Sequence, residues 1–126
     1  MNNKKILVVD DEVFMLKLLQ FILGKTGCGI ETAGSGEEAV QRVGIVSPDL
    51  MIIDVMMPGM TGFEAVQTIK SKPLFEHLPV IMLTARGQQA TRQQAKEAGA
   101  SVFLTKPFSP VELIHHVTEL LQTKAA

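Results

Sequence analysis

Four apolar runs punctuate the chain: Ile6-Leu7-Val8-Val9, Leu50-Met51-Ile52-Ile53, Val80-Ile81-Met82-Leu83 and Val102-Phe103-Leu104. Each has the length of a strand and lacks polar alternation, the pattern of a strand buried on both faces. A fifth segment, Gly29-Ile30-Glu31-Thr32-Ala33, is mixed in polarity and reads as an edge strand. Between the runs the period changes to that of a helix. The first helical pattern carries Phe14, Met15, Leu18, Leu19, Ile22 and Leu23, with Lys17 and Gln20 outward. The second carries Ala39, Val40 and Val43, and the third Phe63, Val66 and Ile69. The last carries Leu113, Ile114, Val117, Leu120 and Leu121, one face at a period near 3.6.

The helix boundaries are also written in the sequence. Ser35 with Glu38, Thr61 with Glu64, and Ser109 with Glu112 match the capping-box spacing, and Pro110 stands where a first helical residue tolerates proline. Gly99 suits a left-handed helix stop. The segment from Gln88 to Ala98 differs from the other helices: its apolar residues are the alanines 90, 95 and 98. It is expected to pack lightly and to shift at little cost. Five strand–helix units result. Parallel strands need right-handed crossovers, so the expected fold is α/β, a doubly wound five-stranded parallel sheet with five helices on its two faces.

The composition is that of an ordinary globular domain. The chain has 126 residues, 46% hydrophobic and 20% charged, which predicts one domain over 1–126 with a core from about 4 to 122. The formal charge of -1 argues against a nucleic-acid surface as the main function. One cysteine, Cys28, excludes an internal disulfide and a cysteine-built zinc cluster, and fits a reducing, cytoplasmic location. No apolar run approaches a membrane span, and the polar start before Ile6 does not read as a signal peptide.

Open parallel sheets bind ligands beyond the carboxyl ends of their strands. Strand one ends at Asp10-Asp11, strand three at Asp54, strand four at Thr84, and strand five leads into Lys106. Taken singly these are ordinary cap, turn and loop residues; Asp11 also stands where a cap of the first helix belongs. Together, three carboxylates at one edge repel one another, so a cation neutralises them or one stays protonated. Oxygen ligands alone point to a hard cation such as Mg²⁺. A metal, an ammonium and a hydroxyl suit the equatorial oxygens of a phosphoryl group. No loop carries the P-loop pattern, so a carboxylate itself is the candidate nucleophile. Asp54, after the middle strand, is the candidate, with Asp10 and Asp11 holding the metal.

The segments Val8-Val9-Asp10-Asp11-Glu12, Ile53-Asp54-Val55-Met56-Met57-Pro58 with Gly62, Leu83-Thr84-Ala85, and Lys106-Pro107-Phe108 resemble the receiver domain of two-component response regulators. The resemblance covers essentially the whole chain, in order and spacing, and includes the single-domain chemotaxis regulators. It implies a flavodoxin-like strand order 2-1-3-4-5. It implies that Asp54 accepts a phosphoryl group from a phosphohistidine on a sensor histidine kinase or phosphotransfer protein. Asp10 and Asp11 would bind Mg²⁺ with Asp54 and the backbone carbonyl of Met56. Thr84 would bond the phosphoryl oxygen, Lys106 would pair with it, and Lys106-Pro107 would be cis. Phe103 falls at the switch aromatic, and Met56 and Arg86 fall where the family tunes the lifetime of the aspartyl phosphate. Output to a downstream effector or fused output domain would pass through the fourth helix, fifth strand and fifth helix, with the protein a monomer or a phosphorylation-dependent dimer. Direct binding of nucleic acid or membrane is not expected, nor is enzyme activity beyond self-phosphorylation and autodephosphorylation.

Rival readings fit less well. A phosphatase of the haloacid dehalogenase type would place an acid/base Asp where Met56 stands, and its cap domain exceeds this length. Gly34-Ser35-Gly36-Glu37-Glu38-Ala39 matches a dinucleotide fingerprint loosely, but Glu37 and Glu38 would repel a pyrophosphate at the helix start. A non-phosphorylated interaction module would not need the set Asp10, Asp11, Asp54, Thr84 and Lys106. His115 and His116 are neighbours on one helix and cannot face one site together. Cys28 reads as a small structural residue, and most of the seven methionines as core filler.

Overall fold

The computed structural model describes residues 3–85 and 91–125. Arg86 and the 88–90 start of the expected fourth helix lie outside the described residues. Strands β1 (Lys5–Val9), β2 (Gly29–Ala33), β3 (Leu50–Asp54), β4 (Val80–Thr84) and β5 (Val102–Thr105) form one parallel sheet in the order β2-β1-β3-β4-β5. Helices α1 (Val13–Gly24), α2 (Gly36–Val46), α3 (Gly62–Lys70), α4 (Thr91–Ala98) and α5 (Pro110–Ala125) connect and cover it. A short 3₁₀ turn at Pro73–Phe75, which the hydrophobic pattern does not announce, leads into β4. The mixed second strand is an edge strand, as its polarity implies. Arg42 of α2 clamps it, donating to the Thr32 carbonyl and pairing with Glu31 at 3.0 Å.

Successive strand residues face opposite ways, and the apolar runs therefore feed two cores. Leu7, Val9, Met51, Ile53, Val80 and Met82 pack against Ala39, Val43, Val66, Ile69, Ala95 and Ala98 of α2, α3 and α4. Ile6, Val8, Leu50, Ile52, Ile81 and Leu83 pack against Leu19, Ile22, Leu23, Leu113, Val117 and Leu121 of α1 and α5. Every residue of β3 and β4 is buried. This is why their sequences do not alternate.

Local signals hold with three amendments. Thr61 and Glu64 form the full reciprocal capping box. Ser35 accepts the Glu38 N–H, but the Glu38 carboxylate reaches the Gly34 N–H instead, one residue early. Asp11 does not cap α1: the N-cap is Glu12, without a side-chain bond, and Asp10 accepts the Glu12 N–H at 2.9 Å. Phe14 is not on the packed face of α1 but is 76% exposed, because in the first turn Met15 and Leu16 are the residues that pack against the core, ahead of the fully buried Leu19. Gly99 takes φ +108° and ends α4, with its own N–H on the Lys96 carbonyl and that of Ala100 on Ala95. These are the bonds of a Schellman stop. On α4 only Ala95 and Ala98 are buried among the residues whose side chains are described.

Candidate functional site

The residues singled out at the strand ends lie along one edge of the sheet. β1, β3 and β4 end level with one another: Val9 is in register with Ile53, and Asp54 with Leu83. Asp10 follows β1, Asp54 closes β3 and Thr84 closes β4. Lys106 follows β5, and its N–H donates to the Thr84 carbonyl at 2.7 Å. Asp10, Asp54 and Thr84 are buried, whereas Asp11 is exposed. The burial of these polar groups is a consequence of the fold, since they continue strands covered on both faces.

The site's geometry is compact. Carboxylate oxygens of Asp10, Asp11 and Asp54 lie within 4.8 Å of one another. The Lys106 ammonium donates to Asp54 Oδ1 at 2.9 Å and to Asp10 Oδ2 at 3.3 Å. Lys106 is followed by a cis peptide to Pro107. Three carboxylates thus face one ammonium. Burial raises the Asp54 pKa above its ordinary value; Lys106 pulls it down, and Asp10 and Asp11 push it up again. For Lys106, burial opposes the charge, but bonds and charges from Asp54 and Asp10 outweigh it and hold the ammonium above its usual pKa. The surplus negative charge and the all-oxygen donor set fit a hard divalent cation, and the carboxylates are already gathered to receive one.

Several neighbours frame this cluster. The Val55 N–H donates to Leu83, and the Gly62 N–H donates to Val55, each at 2.8 Å. A Cβ on Gly62 would lie 2.3 Å from the Asp54 carbonyl oxygen, so only glycine lets α3 start this close to β3. Met56 follows with its side chain 53% exposed, and is not core filler, while Met57 is buried. Phe103 is half-buried on β5, opposite Met82, with the Arg92 guanidinium 5.4 Å from its ring centre. By strand alternation, Phe103 and Thr84 share the α4 face of the sheet, diagonal across the β4–β5 pair. Arg86 lies outside the described residues. The fingerprint-like segment Gly34–Ala39 is a capped helix start. His115 is exposed and His116 half-buried, and they pair with different glutamates, Glu119 and Glu112.

Sequence reasoning left two contacts unseen. One is the Arg92 stack on Phe103, which joins residues on separate elements. The other is Glu37, whose carboxylate accepts the Met60 N–H at 3.3 Å, across 23 positions. The only local signal for it was the glycine at 59, whose φ of +77° marks a loop bent for a purpose.

Comparison with known proteins agrees with this geometry. Residues 6–118 match the model of the response regulator receiver domain. The chain is 40% identical over 120 residues to the alkaline phosphatase synthesis transcriptional regulatory protein PhoP of Bacillus subtilis, covering 95% of this chain and 49% of that protein. It is 41% identical over 121 residues to the transcriptional regulatory protein ResD of the same organism, covering 96% of this chain and 49% of ResD. The chain thus spans about half the length of these relatives. Among solved structures, it superposes on the chemotaxis protein CheY4 of Vibrio cholerae with a TM-score of 0.86 at 33% identity, covering 93% of this chain and 98% of that one. It superposes on the receiver domain of a histidine kinase from Syntrophus aciditrophicus with a TM-score of 0.89 at 36% identity, covering 96% and 92%. Sheet order, matched residues and the acidic edge lead to one conclusion: this chain belongs to the response regulator receiver domain family of two-component signalling.

Proposed function

We propose that this chain is a single receiver domain that takes a phosphoryl group onto Asp54 from a phosphohistidine of a sensor histidine kinase or phosphotransfer protein. The observation that carries the reading is the Asp10–Asp11–Asp54 cluster with Lys106 bridging two of its members. Asp10, Asp11, Asp54 and the Met56 backbone carbonyl would hold Mg²⁺, which when bound offsets the charge of carboxylates and phosphoryl oxygens. An Asp54 carboxylate oxygen bonds to phosphorus as the N–P bond of the donor breaks. The electron pair of that bond returns to the imidazole nitrogen, which takes up a proton from water. Lys106, held beside Asp54, supplies a fixed positive charge to the transferred group. Thr84 donates its hydroxyl to a phosphoryl oxygen.

The acyl phosphate carries more negative charge than the carboxylate it replaces and adds oxygens that draw in Thr84 and Lys106. Thr84 moves toward them, and Phe103, on the same face, follows into the vacated space. α4 rests on the sheet through few buried side chains and yields. The face formed by α4, β5 and α5 thereby changes for an effector protein or an output domain. The domain is a signalling phosphoacceptor rather than an enzyme that turns over substrate, acting in the cytoplasm. Met56 and Arg86 would tune how long the aspartyl phosphate lasts. No helix among the described residues is long and apolar enough to cross a membrane.

The test is incubation with acetyl phosphate and Mg²⁺, followed by intact mass. The parent chain is expected to gain one phosphoryl group, and Asp54→Asn none. An unmodified parent, or equal gain in both proteins, would overturn the assignment of Asp54.

A further inference from the structure

The loop between β3 and α3 runs from Val55 to Thr61 and contains Met56. Its two ends are fixed by hydrogen bonds, Gly62 N–H to Val55 O and the Thr61–Glu64 capping box. Met57 anchors one flank in the core. The Met56 side chain is exposed. The crown, Pro58-Gly59-Met60, is gripped from outside by α2. Glu37, in the first turn of that helix, accepts the Met60 N–H at 3.3 Å. The same oxygen, Oε2, lies so close to Gly59 that a Cβ there would meet it at 2.8 Å. Next to it, a Cβ on Gly36 would meet the Met60 side chain and carbonyl at 3.1 Å, so helix and loop are in close contact.

We infer that Glu37 is a positioning residue for the metal site: its carboxylate fixes the crown of the β3–α3 loop and so holds the Met56 carbonyl where the cation needs it. This rests on the Mg²⁺ reading proposed above. Groups that orient a metal ligand from outside raise affinity by removing the cost of ordering that ligand at binding. A carboxylate receiving a backbone N–H is stronger than a neutral acceptor, yet this one is exposed, so the effect is modest. Glu37 also serves the helix dipole, a role any acidic residue in the first turn would fill. The loop contact is what distinguishes it.

Mg²⁺ affinity measured by titration calorimetry separates these roles. Glu37→Ala is expected to weaken Mg²⁺ binding about three- to tenfold, a loss comparable to that of one exposed charge-assisted hydrogen bond. Glu37→Gln keeps an acceptor oxygen at the same reach and is expected to stay within about twofold of the parent. Phosphorylation by acetyl phosphate should show a raised Mg²⁺ requirement in Glu37→Ala with the rate at saturating Mg²⁺ unchanged. Exchange of the Met60 amide with deuterium should quicken in Glu37→Ala and not in Glu37→Gln. Glu37→Ala with parent affinity and parent Met60 exchange would overturn the inference. So would equal losses in the two variants, which would make the charge alone responsible. A parent that binds no Mg²⁺ would remove the acceptor reading and this inference together; a binding parent with an indifferent Glu37→Ala removes the inference alone.

Discussion

The two sides of the sheet's chemical edge are built differently. On the β1–β3 side, Asp10 and Asp54 continue strands buried beneath two apolar layers. On the β5 side, the strand is only partly covered, with Val102 and Phe103 half-buried and Thr105 exposed, and α4 contributes two buried alanines. Thr84 and Lys106 stand between them, joined by a backbone hydrogen bond. The difference is one of packing: one side is held by more buried apolar area than the other. Charge must be positioned closely to act, so the carboxylates sit on the side with least freedom. The switching proposed above places its movement on the β5 side, where little apolar area is lost by moving.

Cavity formation tests this contrast most strongly. Ile52→Ala empties a fully buried position of β3 and is expected to cost about 2–5 kcal/mol in urea unfolding. Val102→Ala on half-buried β5 should cost only about 1 kcal/mol, because less apolar surface is withdrawn from water. Equal costs would mean that the two sides are equally well packed.

A smaller effect is expected at the charged cluster itself. The folded state raises the Asp54 pKa from its ordinary 3.8, chiefly through burial. The folded protein therefore binds more protons than the unfolded chain between 3.8 and the raised value, and stability falls as pH climbs through that window. Above the raised value, without divalent cations, the penalty stands in full. Asp54→Asn should then raise Tm by about 2–5 °C, the range that a modest gain gives a domain of this size. Lys106 keeps Asp10 as a partner in that variant. The gain should vanish below about pH 3.8, where Asp54 is protonated in both states. A lowered Tm at neutral pH would show that the Lys106 pair outweighs burial.

The smallest effect belongs to Arg92. Its guanidinium covers the outer face of Phe103, a contact of about 0.5–1 kcal/mol at an exposed site. Arg92→Ala should lower global stability by no more than that and should broaden the Phe103 ring resonances as the ring gains freedom. Unchanged ring signals would indicate that β5 packing alone holds the aromatic.

Much of this was legible in the chain. Strand positions followed from apolar runs, because a strand covered on both faces has no polar side to show. The parallel order then sent the residue after each run to one edge, which made Asp10, Asp54, Thr84 and Lys106 candidates before any coordinates. The resemblance to receiver domains added the strand order and the carbonyl of Met56. The failures share a cause. Phe14 fits a helical period, but in that turn Met15 and Leu16 take the packed side and leave Phe14 outside it, a choice the period alone does not make. Asp11 looked like a cap, but cap geometry depends on how the chain leaves β1, and that let Asp10 take the Glu12 N–H instead.

The sequence by itself determined the element types, their order and which residues reach the chemical edge, because periodicity and capping act over a few neighbouring positions. Only the tertiary structure decided which Asp is buried, that Lys106 bridges two of them, that Glu37 grips the Gly59 loop and that Arg92 lies over Phe103. Those contacts join positions 11 to 96 residues apart. No local period encodes a distance between groups that meet only once the sheet has closed its ranks and each helix has taken its place upon it.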